Sequence, residues 1–256
     1  MTIVTVFNQK GGVGKTTTAL NLAAALARRG FKPYGIDLDP QSHLSSIVGV
    51  AADSSENSVF SVFQRSRPLR ELVRESASGI NLIPSHAALS KVDTLYGKGY
   101  NIVNRLNISL QTANFGAPVV IDCSPLIGVL SLNAIFACDC IIVPISADYL
   151  SFNGAIHIER TLKALEVVLK RRIKRRYLLT RFNNRRRMAV DILHMAEERF
   201  GDEVCRTCIA ENVSLAESPA LHKTVFEHRP DSRGAQDYDA LLEELLRDGF
   251  IAGSAE

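Results

Sequence analysis

The 256-residue sequence lacks most of the features that send a chain into a membrane, out of the cell or into several domains. It has no uninterrupted apolar stretch of about 18 residues, so no membrane span is expected. Its opening, MTIVTVFNQKGG, has neither the basic n-region nor the apolar run and cleavage site of a signal peptide. No Gly/Ser-rich or Pro-rich stretch and no internal repeat divides it, so one domain over 1–256 is expected. Five cysteines, an odd number without framework spacing, suit a reducing cytoplasm. Net charge is also small: 30 Lys+Arg against 27 Asp+Glu leave +3, too little to argue for a nucleic-acid partner by itself. What is present, 46% hydrophobic and 22% charged residues, is an ordinary globular composition with enough apolar side chain for one sizeable core.

Short apolar runs alternate with helical patterns, the signature of βαβ units. Strands are expected at 2–7, 33–38, 80–84, 118–122, 140–144 and 177–180. Helices are expected at 16–29, 127–136, 156–170, 189–200 and 237–246. Residues 51–79 mix Ser, Glu and Arg with short apolar pieces and give no clear pattern. The fold class expected is α/β, a doubly wound, mostly parallel sheet flanked by helices, with ligands at the carboxyl ends of its strands.

The strongest motif follows the first strand and opens the first helix: Gln9-Lys10-Gly11-Gly12-Val13-Gly14-Lys15-Thr16-Thr17. In that context it reads as a P-loop. The glycines let successive N–H groups turn toward a phosphate chain at a helix N-terminus. Lys15 would neutralise the β- and γ-phosphates and the Thr16 hydroxyl would ligate Mg²⁺. Asp37 and Asp39 lie where the second strand ends, on one face by period-2 geometry. Val119-Val120-Ile121-Asp122 has the Walker B form, an apolar strand delivering one carboxylate to the metal shell.

The loop departs from the general pattern, with Gln9 in place of its first glycine and an additional early lysine. KGGVGKTT resembles the deviant P-loop of the ParA/MinD ATPases, as Asp37-Leu38-Asp39-Pro40-Gln41 resembles their DxDPQ motif. That resemblance, strongest to small Soj-like partitioning ATPases, covers Met1 to about Leu246 and is weakest at 51–100. It implies ATP and Mg²⁺ as ligands, and Lys10 reaching in trans to a nucleotide held by a second subunit. It implies Asp39 as the residue required for hydrolysis and Asp37 as support for the metal and the loop. Asn183 occupies a position that contacts adenine in several relatives. No helix-turn-helix domain is expected before the P-loop.

The role implied is an ATP-dependent homodimer that binds double-stranded DNA without sequence preference and acts with a ParB-like or cargo-adaptor protein. The location implied is cytoplasmic and nucleoid-associated. Residues 170–187 (KRRIKRRYLLTRFNNRRR) hold ten basic residues and no acid, the footprint of a phosphate-backbone binder. Lys174, Arg175, Arg181, Arg185, Arg186, Arg187 and Lys223 are the DNA-contact candidates. Two departures from relatives bear on that grip: Glu211 and Ser214 stand where arginines are usual, and His222 replaces a usual glycine.

Other readings stay open. Related ATPases position chemoreceptor clusters or carboxysomes instead of DNA. MinD-like proteins attach to membrane through a basic terminal helix, but here Leu241–Asp248 is acidic, so no membrane partner is expected. Cys205 and Cys208 have C-x-x-C spacing, as in cluster-bridging relatives, but they fall on a strand-like segment whose positions are ordinarily apolar, so buried packing is the reading expected.

Overall fold

A computed structural model describes residues 1–97 and 99–253; residue 98 and residues 254–256 of the expected domain lie outside the described residues. Among the described residues, seven strands form one sheet in the order β3-β4-β2-β5-β1-β6-β7. They are β1 (Ile3–Val6), β2 (Tyr34–Asp37), β3 (Arg74–Glu75), β4 (Asn81–Ile83), β5 (Val119–Asp122), β6 (Cys140–Ser146) and β7 (Lys174–Thr180). All neighbours pair in parallel except β3, a two-residue edge strand antiparallel to β4.

Strand alternation divides the interior into two layers. Val4 and Val6 of β1 face the Lys15–Arg28 helix (α1) and the last helix, Arg233–Arg247. Ile3 and Phe7 face the opposite layer, built by Arg105–Ala113, Val129–Ala137, Tyr149–Leu169 and Arg187–Phe200. Covering both faces explains why the strands read as continuous apolar runs. Residues 51–79 also contribute to the core: Val59, Phe60, Val62, Phe63, Leu69 and Leu72 are buried. They do so in pieces of three to six residues, too short for a period to show. Gly35, in mid-strand, meets a different demand: a Cβ there would lie 2.6 Å from Leu82 Cδ1.

The Tyr149–Leu169 helix begins seven residues before the expected 156. Asp148 caps it by accepting from Ser151 N–H at 2.9 Å, a start hidden in the sequence by the exposed Tyr149 and Leu150. Parallel pairing aligns the carboxyl ends of β1, β2, β5, β6 and β7, and the P-loop leaves β1 into that edge.

Candidate functional site

The loop between β1 and α1 is held open by Gly12 and Gly14, at φ +75° and +85°, a conformation that side-chain-bearing residues rarely adopt. Two side chains outside the motif anchor it. Asn8, fully buried, donates to Pro144 O at 2.6 Å and accepts from Lys10 N–H at 3.0 Å. Thr180, the last residue of β7, donates to Val13 O at 2.9 Å. The first turn of α1 carries no acid, so its N–H groups and dipole face the loop uncompensated, which favours an anion. Lys15 curls back to donate to Lys10 O at 2.9 Å. Burial lowers its pKa, while Asp122 and Asp39 favour the charged form.

Asp37 and Asp122 are register partners across β2 and β5. Both are fully buried. Neither Asp122 oxygen has a hydrogen-bond partner among the described residues. Burial pushes its carboxyl well above the ordinary range, Asp37 and Asp39 add to that, and the Thr16 hydroxyl and Lys15 oppose it. Two orphaned oxygens, beside other carboxylates and a threonine hydroxyl, are what a hard divalent cation requires, so these residues fit Mg²⁺. Asp37 takes the loop-supporting part of its expected role rather than the metal-holding part. Its Oδ1 accepts from Asp39 N–H at 3.1 Å, and its Oδ2 accepts from Ser45 N–H and Oγ–H at 2.9 and 2.7 Å. With both oxygens engaged, Asp37 shapes the Asp39 loop rather than standing free to ligate.

Lys10 projects from the loop and pairs with Asp148 of its own chain at 2.7 Å. Burial alone would raise Asp148, but the Lys10 and Ser151 hydrogen bonds outweigh it and bring its pKa down to about 2. Next to Asp148, Tyr149 and Leu150 open the Tyr149–Leu169 helix and are 57% and 70% exposed; Leu126, in the loop after β5, is 75% exposed.

Beyond Gly14 a cavity of about 360 Å³ is lined by Thr17, Thr180, Arg181, Glu211, Asn212 and Tyr238. Asn183 does not line it. Its Oδ1 accepts from Arg185 N–H at 3.0 Å, and the side chain faces a neighbouring groove of about 710 Å³. Arg181, read from sequence as a DNA contact, is the charged residue of the run at the P-loop cavity, held at φ +51°.

The basic run is not one surface. Lys174 and Arg175 start β7 and Arg181 follows its end, so the strand separates the two halves by roughly 20 Å. Arg175 is 3% exposed and ion-paired with Glu166 and Glu203; it is a core residue, not a DNA contact. Lys174 is exposed at the end of the sheet remote from the P-loop. Arg185, Arg186 and Arg187 are exposed at the P-loop end, where β7 finishes, and Lys223 is exposed in the turn after Ser218–Leu221. Glu211 takes Arg186 in an ion pair at 3.0 Å. Two arginines outside the run, Arg206 and Arg233, share the 710 Å³ groove with Arg185. Only the fold brings them there. His222 sits at φ +53°, which accounts for the glycine usual at this position, and its ring bonds Ser46 O at 2.9 Å.

Cys205 is buried against β7, its N–H donating to Tyr177 O at 2.9 Å, and burial raises both its thiol and that of Cys208, the latter to about 11. The two side chains pack in different layers, Cys205 in that of α1 and Cys208 against the opposite one, as small buried hydrophobes do. No helix among the described residues is long and apolar enough to cross a membrane. The apolar side of the last helix, including Tyr238, Leu241 and Leu245, is consumed in the core.

The AAA domain family (AAA_31) matches residues 1–175. The chain is 35% identical over 247 residues to the chromosome-partitioning ATPase Soj of Thermus thermophilus, covering 95% of this chain and 94% of that one. It is 31% identical over 249 residues to the chromosome partitioning protein ParA of Caulobacter vibrioides, covering 95% and 93%. Its fold superposes, with a TM-score of 0.85 and 25% identity, on cobyrinic acid a,c-diamide synthase of Mycobacterium smegmatis with a bound ATP analog and magnesium, covering 99% and 97%. With a P-loop, a strand-end aspartate pair and an early lysine all at one sheet edge, and with these relatives along nearly its whole length, the chain belongs to the ParA/MinD family of P-loop ATPases.

Proposed function

We propose that the chain is a partitioning switch in which ATP closes a homodimer, the dimer holds DNA through phosphate contacts, and hydrolysis opens it. The observation that carries this reading is Lys10: a lysine at the mouth of the P-loop, held by an accessible partner on its own chain, beside exposed apolar residues. A second copy covering that face would bury Tyr149 and Leu150 and release Lys10 from Asp148 toward the opposite nucleotide.

The residues divide the work. The loop N–H groups and Lys15 bind the phosphates of ATP, and Lys15 exchanges Lys10 O for a phosphate oxygen. Mg²⁺, held by Thr16 and Asp122, would neutralise phosphate charge when bound. Asp39 orients the attacking water, and the cavity walled by Arg181 and Tyr238 takes the base. Closure sets two P-loop-end surfaces side by side, so weak phosphate contacts from Arg185, Arg186, Arg187 and Lys223 act together only in the dimer. A ParB-like partner stimulates hydrolysis, and the cargo is a plasmid or chromosome.

Light scattering of wild type and Lys10→Ala with ATP and Mg²⁺ tests this. Wild type should double in mass with ATP and the variant should stay monomeric while still binding nucleotide. A wild type that remains monomeric at every ATP concentration would sink the proposal.

A further inference from the structure

Asp39 lies beyond the end of its strand. The last ladder bond beside it runs from Leu38 N–H to Asp122 O at 2.9 Å, so the sheet no longer fixes the residue proposed to direct hydrolysis. A closed ring of buried hydrogen bonds does so instead. Asp39 N–H donates to Asp37 Oδ1 at 3.1 Å. Ser45 donates its hydroxyl to Asp37 Oδ2 at 2.7 Å, and its Oγ accepts from Ser85 N–H at 3.0 Å. Ser85 completes the circuit by donating its own hydroxyl to Asp39 O at 2.5 Å. Asp37 and Ser45 are fully buried and Ser85 is 2% exposed, so water cannot substitute for a lost member. The ring ties three separate pieces of chain together: the end of β2, the short His43–Ile47 helix, and the residues after β4.

We propose that Ser45 and Ser85 are positioning residues for Asp39, clamping the peptide groups on both sides of it so that its carboxylate is aimed before the nucleotide arrives. The hydroxyl directions follow from the chemistry of the members. When ionised, Asp37 only accepts, so the Ser45 hydroxyl donates to it, and its lone pair is then what Ser85 N–H meets. Misplacing a catalytic group by a fraction of an ångström costs turnover more than binding, because ground-state contacts to the phosphates come from the P-loop and not from Asp39.

This inference rests on the reading of Asp39 as the hydrolytic residue, and the test separates the two. ATP turnover, affinity for a fluorescent ATP analogue and Tm are measured for Ser85→Ala, Asp39→Ala and the double variant of the full chain. Ser85→Ala should lower kcat about tenfold with nucleotide Kd unchanged within twofold, and should cost nothing further in the Asp39→Ala background. Unchanged kcat in Ser85→Ala, or an equal loss in both backgrounds, overturns the positioning role. Wild-type turnover in Asp39→Ala overturns the Asp39 reading and this inference with it. Should Ser85→Ala fail to fold, Ser45 decides: Ser45→Ala should lose turnover and Ser45→Thr, which keeps the hydroxyl, should regain it. Equal turnover in those two refutes the proposal.

Discussion

Asp37 shows how one residue's surroundings set its role. Burial pushes its carboxyl up to about 6 against three hydrogen bonds that favour the ionised form. A raised carboxylate pKa means that the folded state holds the proton more tightly than the unfolded state. The resulting stabilisation is complete below the ordinary value of 3.8 and is lost as pH rises through about 6. Asp122 shifts the same way. Nucleotide-free protein should therefore lose Tm between pH 4.5 and 7, and Asp122→Asn should flatten the slope by removing one of the two buried charges. Differential scanning fluorimetry across that range checks both, and a Tm that rises with pH in wild type would contradict the account. Glu211 is a second case: through its exposed ion pair with Arg186 it competes with any phosphate for a cation that the linear sequence counts as free.

Among elements, the Tyr149–Leu169 helix links its own start to the P-loop. Asp148 is both the N-cap of that helix and the partner of Lys10. Asp148→Asn keeps a capping oxygen and removes the charge, so the helix should persist while Lys10 is freed. An ion pair this exposed is worth at most about 1 kcal/mol. With one such pair released in each protomer, the dissociation constant of the ATP-bound dimer should fall by no more than about thirtyfold, measured by sedimentation equilibrium. A weakened dimer would mean that Asp148 serves the closed state instead. Strand β7 shows the opposite relation between element and pattern. Its alternation sends Arg175 inward to Glu166 and Glu203, while Lys174 and Arg176 take other directions, so adjacent charges with one appearance in sequence have different fates.

For the whole molecule, the decisive fact is that β7 holds the two halves of the basic run at opposite ends of the sheet. Charge reversal at Arg185 and Arg186 should reduce ATP-dependent DNA retention and lower its salt slope by about one per lost phosphate contact. Lys174→Glu, at the remote end, should leave both nearly unchanged. Equal losses from the two sites, in filter binding over a salt series, would show that the run acts as one patch after all.

The P-loop, the two strand-end aspartates and the mostly parallel α/β fold were legible in the sequence. Each depends on local chain geometry: glycines at positive φ, a carboxylate at the end of an apolar run, a helix opened by Lys15 and Thr16. Residues whose roles depend on neighbours distant in the chain were not legible. Asn8 and Thr180 anchor the loop across the sheet, Arg206 and Arg233 join Arg185 from separate segments, and Ser85 reaches Asp39 from 46 residues away. The sequence by itself determined what chemistry is present at the phosphate site, because a P-loop is a local backbone shape. Only the tertiary structure decided which charges are free and which are already paired, because burial and ion pairing are set by what packs against each side chain.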